Sequence, residues 1–129
     1  MLKMLLIFLG SGAGGLLRYL VGGLVQNWYG PSFPLDTLLI NVTGCLVMGF
    51  LAAAWAGGEG PVMVSPETRA AVLIGVLGGY TTFSSFGRET LALLNDGQYF
   101  RAGLYVVLSV AVGLLAVWVG AMIAHKVYR

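Results

Sequence analysis

A polar interruption, Gly78-Gly79-Tyr80-Thr81-Thr82-Phe83-Ser84-Ser85-Phe86, sits inside an apolar stretch covering about residues 70–94. Paired glycines and a run of hydroxyl residues hold a continuous helix poorly. Where such a stretch crosses a bilayer, backbone that leaves the helix must be satisfied by protein, water or an ion, because lipid supplies no hydrogen bonds. Broken membrane helices are a recurring way to set carbonyl oxygens and helix ends around ions. The interruption therefore predicts a membrane protein with an ion or solute site, beyond a plain anchor.

Composition agrees. Only 9% of the 129 residues are charged and 58% are hydrophobic, whereas about a quarter of a soluble domain is charged. Four segments reach the roughly 20 apolar residues that a span requires, at about residues 2–25, 35–56, 70–94 and 102–124. They take up most of the chain, which reads as one all-α, four-helix transmembrane domain over residues 1–129. The first segment is too long for a signal-peptide core and carries Arg18. A net charge of +2 without a basic run gives nucleic acid nothing to bind. The lone Cys45 has no intrachain partner and reads as a small buried hydrophobe, and His125 as a solvated interface residue.

Charge is nearly balanced between the two ends of the spans. Lys3, Arg69, Lys126 and Arg129 fall on one side, and Arg18, Arg88 and Arg101 on the other. The positive-inside rule needs a clear excess, so this chain is suited to insertion in both orientations and to pairing as an antiparallel homodimer. Four short helices also make a thin wall for a pore, which again points to an oligomer. Connections are short: residues 26–34 with Gly30, Pro31 and Pro34, residues 57–67, and the turn Asn95-Asp96-Gly97. Ser65 is placed to cap the third helix and Pro66 to begin it. Trp28, Tyr29, Tyr99 and Phe100 fall where amphipathic rings favour the membrane interface.

Gly10, Gly14, Arg18 and Gly22 share one face of the first span, and Gly75 and Gly79 repeat that spacing in the third. Such ridges let membrane helices approach closely. Thr37 and Asn41 share a face with Gly44 and Met48, and Tyr105 and Ser109 share one with Gly113. A membrane Ser or Thr usually bonds back to its own helix, but the Asn41 amide needs another helix or a solvated path and serves either. Phe83 and Phe86 would face one cavity if helix resumes after the break, although spacing alone favours packing. A ring edge is the positive end of the aromatic quadrupole and can touch an anion weakly, which suits rapid conduction. No nucleophile–base pair, phosphate loop or carboxylate pair supports catalysis.

Three stretches together resemble the Fluc (CrcB) family of bacterial fluoride channels: Gly14-Gly15-Leu16-Leu17-Arg18, then residues 36–44 (DTLLINVTG), then residues 78–86 (GGYTTFSSF). They occur in the order and spans of that family, in a chain of its size. The resemblance implies an antiparallel dual-topology homodimer in the bacterial inner membrane, passively exporting fluoride through two pores. Phe83 and Phe86 would line each pore, Asn41 would donate to fluoride, and Tyr105, Ser109, Thr37 and Thr82 would form its polar lining. Backbone carbonyls of Gly78 and Thr81 from both copies would hold a central sodium ion. Arg18 would lend positive potential to a vestibule and Glu89 would stand beside the pore. Some members carry a second serine where this chain has Gly113, so the polar track is expected to be shorter here. Size and charge balance also suit a small dual-topology, proton-coupled multidrug exporter, for which Glu89 is the only deep carboxylate.

Overall fold

Apolar length dictates the architecture. The computed structural model describes residues 1–56 and 61–128, and its elements are all helical. They run α1 (Leu2–Tyr29), α2 (Leu35–Ala54), α3 (Pro66–Arg69), a π-helical segment (Ala70–Val76), α4 (Leu77–Tyr80), α5 (Phe83–Asn95) and α6 (Tyr99–Val127). Everything from Pro66 to Asn95 forms the third span. Leu2–Tyr29, Leu35–Ala54, Pro66–Asn95 and Tyr99–Val127 are each long and apolar enough to cross a membrane. Mean hydropathy is lowest in the third span, 1.3 against 1.7, 1.9 and 2.5, because the polar run lies there. The chain is thus laid out as a multi-pass membrane protein.

Most helices overrun their apolar cores. The first continues through Gln26, Asn27, Trp28 and Tyr29, and the third begins at Pro66 rather than at residue 70. A helix needs no apolar side chains once its backbone bonds are running, so polar interface residues extend it. The second span stops slightly early, at Ala54. Gly30 ends α1 at a φ of 72° while its N–H bonds Gln26, and only a glycine enters that region without strain. Ser65 caps α3 as its sequence suggests, its hydroxyl accepting from the Thr68 N–H at 3.1 Å with Pro66 in the first turn. Residues 57–60 of the second connection, and Arg129, lie outside the described residues.

Two helix pairs hold the bundle. The first span runs alongside the first half of the third, and their small-residue ridges meet: Gly10 packs on Ala71 and Gly75, Gly14 on Val76 and Tyr80, and Gly79 on Ser11. The second span runs alongside α6, where Gly49 lies on the Val117 backbone and Gly120 on Leu46 and Phe50. Toward one end Leu38, Leu93, Ala102 and Tyr105 form a small core, joined by Phe33, Phe86 and Leu108. Outside it Phe8, Leu16, Leu20, Leu114, Leu115 and Trp118 are all exposed. That inversion of the soluble pattern is the surface a hydrocarbon solvent requires.

Candidate functional site

The third span breaks at Thr81 and Thr82, whose backbone is extended (φ −80°, ψ 159° and φ −152°, ψ 115°). The glycine pair itself stays helical: Gly78 and Gly79 lie within α4. β-branched threonines tolerate extended backbone better than a helix does, and side chains from other helices take up the polar groups released there. Asn41 on α2 clamps Thr82 from both sides, accepting from its N–H at 2.8 Å and donating Nδ2 to its carbonyl at 3.0 Å. Arg18 on α1 donates Nη1 to the Thr81 carbonyl at 3.3 Å. The Thr82 hydroxyl restarts the helix by accepting from the Ser85 N–H at 3.2 Å as the N-cap of α5. Thr82→Ala is expected to cost about 1 kcal/mol through loss of that cap, whereas Thr82→Ser keeps it. Thermal unfolding in detergent checks this; equal stability of the two variants would mean the hydroxyl does not hold the restart.

Beside the break lies a groove of about 280 Å³, lined by Asn41, Gly44, Cys45, Met48, Thr81, Thr82, Phe83, Phe86, Ser109 and Val110. Phe83 and Phe86 both face it, as their spacing suggests, with ring centroids 5.4 Å apart and planes at 45°. Phe86 also packs on Tyr105 at 5.2 Å, which fixes one ring while Phe83 stays 83% exposed. Ser109 contributes a buried hydroxyl with no hydrogen-bond partner among the described residues. Other membrane hydroxyls do bond back to their own helix: Thr43 to Leu39, Thr81 to Leu77 and Thr90 to Phe86. A buried polar atom left unpaired is uncommon and marks a place for a ligand or water. Cys45 and Met48 also border the groove; sequence reading took Cys45 only as packing.

A second, wider cleft of about 870 Å³ opens next to the break, with Arg18, Asp36, Thr37, Thr82, Arg88 and Glu89 among its walls. Thr37 therefore faces this cleft and not the groove with Asn41. The Glu89 carboxylate accepts from Thr37 at 3.0 Å, from the Tyr105 hydroxyl at 2.8 Å and from Arg88 at 3.3 Å. Thr37 and Tyr105 are both buried, so their bonds to Glu89 tie α2, α5 and α6 together. Gln26 donates to Asp36 at 2.7 Å across the first connection, a pairing no sequence signal had indicated. Asn41, Thr82, Phe83, Phe86 and Ser109 thus converge on one groove, while Thr37, Tyr105 and Glu89 form a network behind it. Gly78 lies apart from both on an exposed face.

Chemically, the groove offers a hydroxyl, an amide and two aromatic rings, while Arg18 lines the neighbouring cleft. Among the described residues no three His, Cys, Asp or Glu side chains converge. Donors and rings of this kind are suited to weak contact with a small anion.

Known proteins sharpen this picture. Residues 5–121 match the family described as CrcB-like protein, Camphor Resistance (CrcB). The fluoride-specific ion channel FluC of Methylococcus capsulatus is 46% identical over 125 residues, which is 97% of this chain and 54% of that relative. The chain therefore spans about half the length of that protein. The fluoride-specific ion channel FluC of Coxiella burnetii is 45% identical over 126 residues, 97% of this chain and 99% of the relative. That of Paramagnetospirillum magneticum is 45% identical over 129 residues, the full length of both. With the family match covering most of the sequence and full-length relatives at this identity, the chain belongs to the CrcB-like family.

Proposed function

We propose that this chain is a fluoride-selective passive channel of the bacterial cytoplasmic membrane, working as an antiparallel dual-topology homodimer of one four-helix domain. The observation that carries the proposal is the groove at the helix break, where the unpartnered Ser109 hydroxyl and the Asn41 amide meet the rings of Phe83 and Phe86. The names of the relatives supply the anion. Fluoride accepts strong hydrogen bonds, so Ser109 and the second N–H of Asn41 are its natural donors, with ring edges filling the shell. Among the described residues no ammonium or guanidinium lines the groove, so the ion would leave as readily as it enters, down its own electrochemical gradient. The exposed face of Phe83 calls for a cover, and a second copy in the opposite orientation would close the groove into a pore, two per dimer.

The family implies a central sodium ion, and the break has oxygens to offer it. Gly78 and Thr81 offer carbonyl oxygens, hard ligands suited to an alkali cation. The Thr82 N–H that would bond Gly78 in an unbroken helix is turned to Asn41, which leaves the Gly78 oxygen available at a negative helix end. The Thr81 carbonyl has one lone pair directed to Arg18 and a second for a metal. These oxygens fit, and Gly78 and Thr81 of each copy would hold the ion. When bound, it would supply positive charge that fixes the two breaks against each other.

Proton-coupled cation export is not favoured, because the Glu89 carboxylate already accepts from Thr37, Tyr105 and Arg88. The decisive experiment is ion efflux from liposomes holding the purified protein, read with fluoride and chloride electrodes together. Fast fluoride loss without chloride loss is expected. Intact protein that releases no fluoride sinks the proposal.

A further inference from the structure

At the membrane end opposite the Glu89 cleft lies a cavity of about 550 Å³ that the channel reading does not use. Three span ends build it. Lys3 stands in the first turn of α1, Arg69 in the first turns of the third span, and Trp55 just past the last turn of α2. The Val62 N–H bonds the Ala54 carbonyl at the end of α2 at 3.1 Å, and Met63 beside it lines the cavity. Leu73 and Ile74 carry its wall down into the apolar span.

The chemistry of this cavity is divided. Its mouth holds two cations from two different helices, and its floor is hydrocarbon. The Arg69 side chain is half-buried, and among the described residues neither it nor Lys3 hydrogen-bonds or pairs with a carboxylate; the ion pair among those residues, Arg88–Glu89 at 3.3 Å, lies at the opposite membrane end. A half-buried guanidinium calls for an anion, and arginine favours phosphate because its fork matches the oxygens. A free anion would satisfy the mouth and leave the floor unfilled. A phospholipid fills both, since these residues sit where spans meet the interface and Trp55 is an interfacial side chain. We infer that this cavity is a binding site for one anionic phospholipid, its phosphate between Lys3 and Arg69 and an acyl chain against Leu73 and Ile74.

Neutral lipids share the phosphate but carry a compensating ammonium, so the site should choose by net charge. Juxtamembrane basic residues each contribute measurably to anionic lipid binding, and removing two should weaken it roughly tenfold or more. Native mass spectrometry of the purified protein in neutral detergent, titrated with phosphatidylglycerol or phosphatidylcholine, reads this directly. Wild type should retain one phosphatidylglycerol in preference to phosphatidylcholine, and Lys3→Gln with Arg69→Gln together should lose that preference. Lys126→Gln, at the same membrane end but outside the cavity, should keep it, as should Arg69→Lys. Should the double variant fail to fold, the single glutamine variants serve, each with a partial loss. Undiminished retention in the glutamine variants, or equal loss in Lys126→Gln, overturns the site. Displacement of the lipid by inorganic phosphate alone would make it a free-anion site and overturn the lipid assignment.

Discussion

Asn41→Asp is expected to reduce fluoride efflux from liposomes more than a hundredfold while the protein still elutes from gel filtration as wild type does. The wild-type amide makes two opposed bonds to one residue, accepting from the Thr82 N–H and donating to the Thr82 carbonyl. A carboxylate keeps the first and loses the second, so two acceptors then face each other at the break. It also sets a negative charge on the wall shared with Phe83, Phe86 and Ser109. At about 5 Å and an effective dielectric of about 20, like charges repel by about 3 kcal/mol, and each 1.4 kcal/mol is a factor of ten. The size and packing of the side chain hardly change, so the loss would come from charge and hydrogen bonding. Flux at the wild-type level would remove Asn41 from the pathway and leave it only a clamp for Thr82.

How much of this was legible beforehand depends on whether a residue's role is set by its neighbours in sequence. The spans, the Ser65-Pro66 start and the glycine ridges were, because length, capping and four-residue periodicity are local properties. The ridge of Gly10 and Gly14 and the ridge of Gly75 and Gly79 were read separately, and the structure sets them against each other. Spacing gives a face but not the partner on it. That is why Thr37 was grouped with Asn41, when its hydroxyl reaches 52 residues along the chain to Glu89. Gly49 and Gly120 passed unnoticed for the same reason: each is one glycine among 20, and only the backbone across from it makes it necessary. The break was legible as lying within residues 78–86; that it falls on the two threonines there, whose released groups find Asn41 and Arg18, is what the structure adds. The π-helical turn through residues 70–76 had no signal in the sequence. The individual pore roles came from the family resemblance, and the convergence of five of those residues on one groove is what geometry adds.

Gly14→Ala is expected to destabilise the protein by about 3 kcal/mol or more, the upper end of what overpacking costs, while Gly12→Ala, two residues away, leaves it unchanged or slightly more stable. A methyl group on Gly14 would overlap the Val76 carbonyl and come within 2.8 Å of the Tyr80 nitrogen. Both obstacles are backbone, so no rotamer change relieves them. The first span would have to move away from the third, opening the contacts of Gly10 and Gly79 where the two ridges meet. One turn further on, the Arg18 bond to the Thr81 carbonyl, already 3.3 Å long, would be drawn out of reach. Damage at a packing contact would thereby reach the break, and fluoride flux from whatever protein still folds should fall as well. Around Gly12 nothing stands within 4 Å of an added carbon, and alanine is the better helix former by about 0.5–1 kcal/mol. Thermal unfolding of the two alanine variants in detergent, side by side with wild type, separates close approach from mere glycine content. If Gly14→Ala melts where Gly12→Ala does, the first and third spans do not touch through this ridge, and the link from packing to the break fails with it.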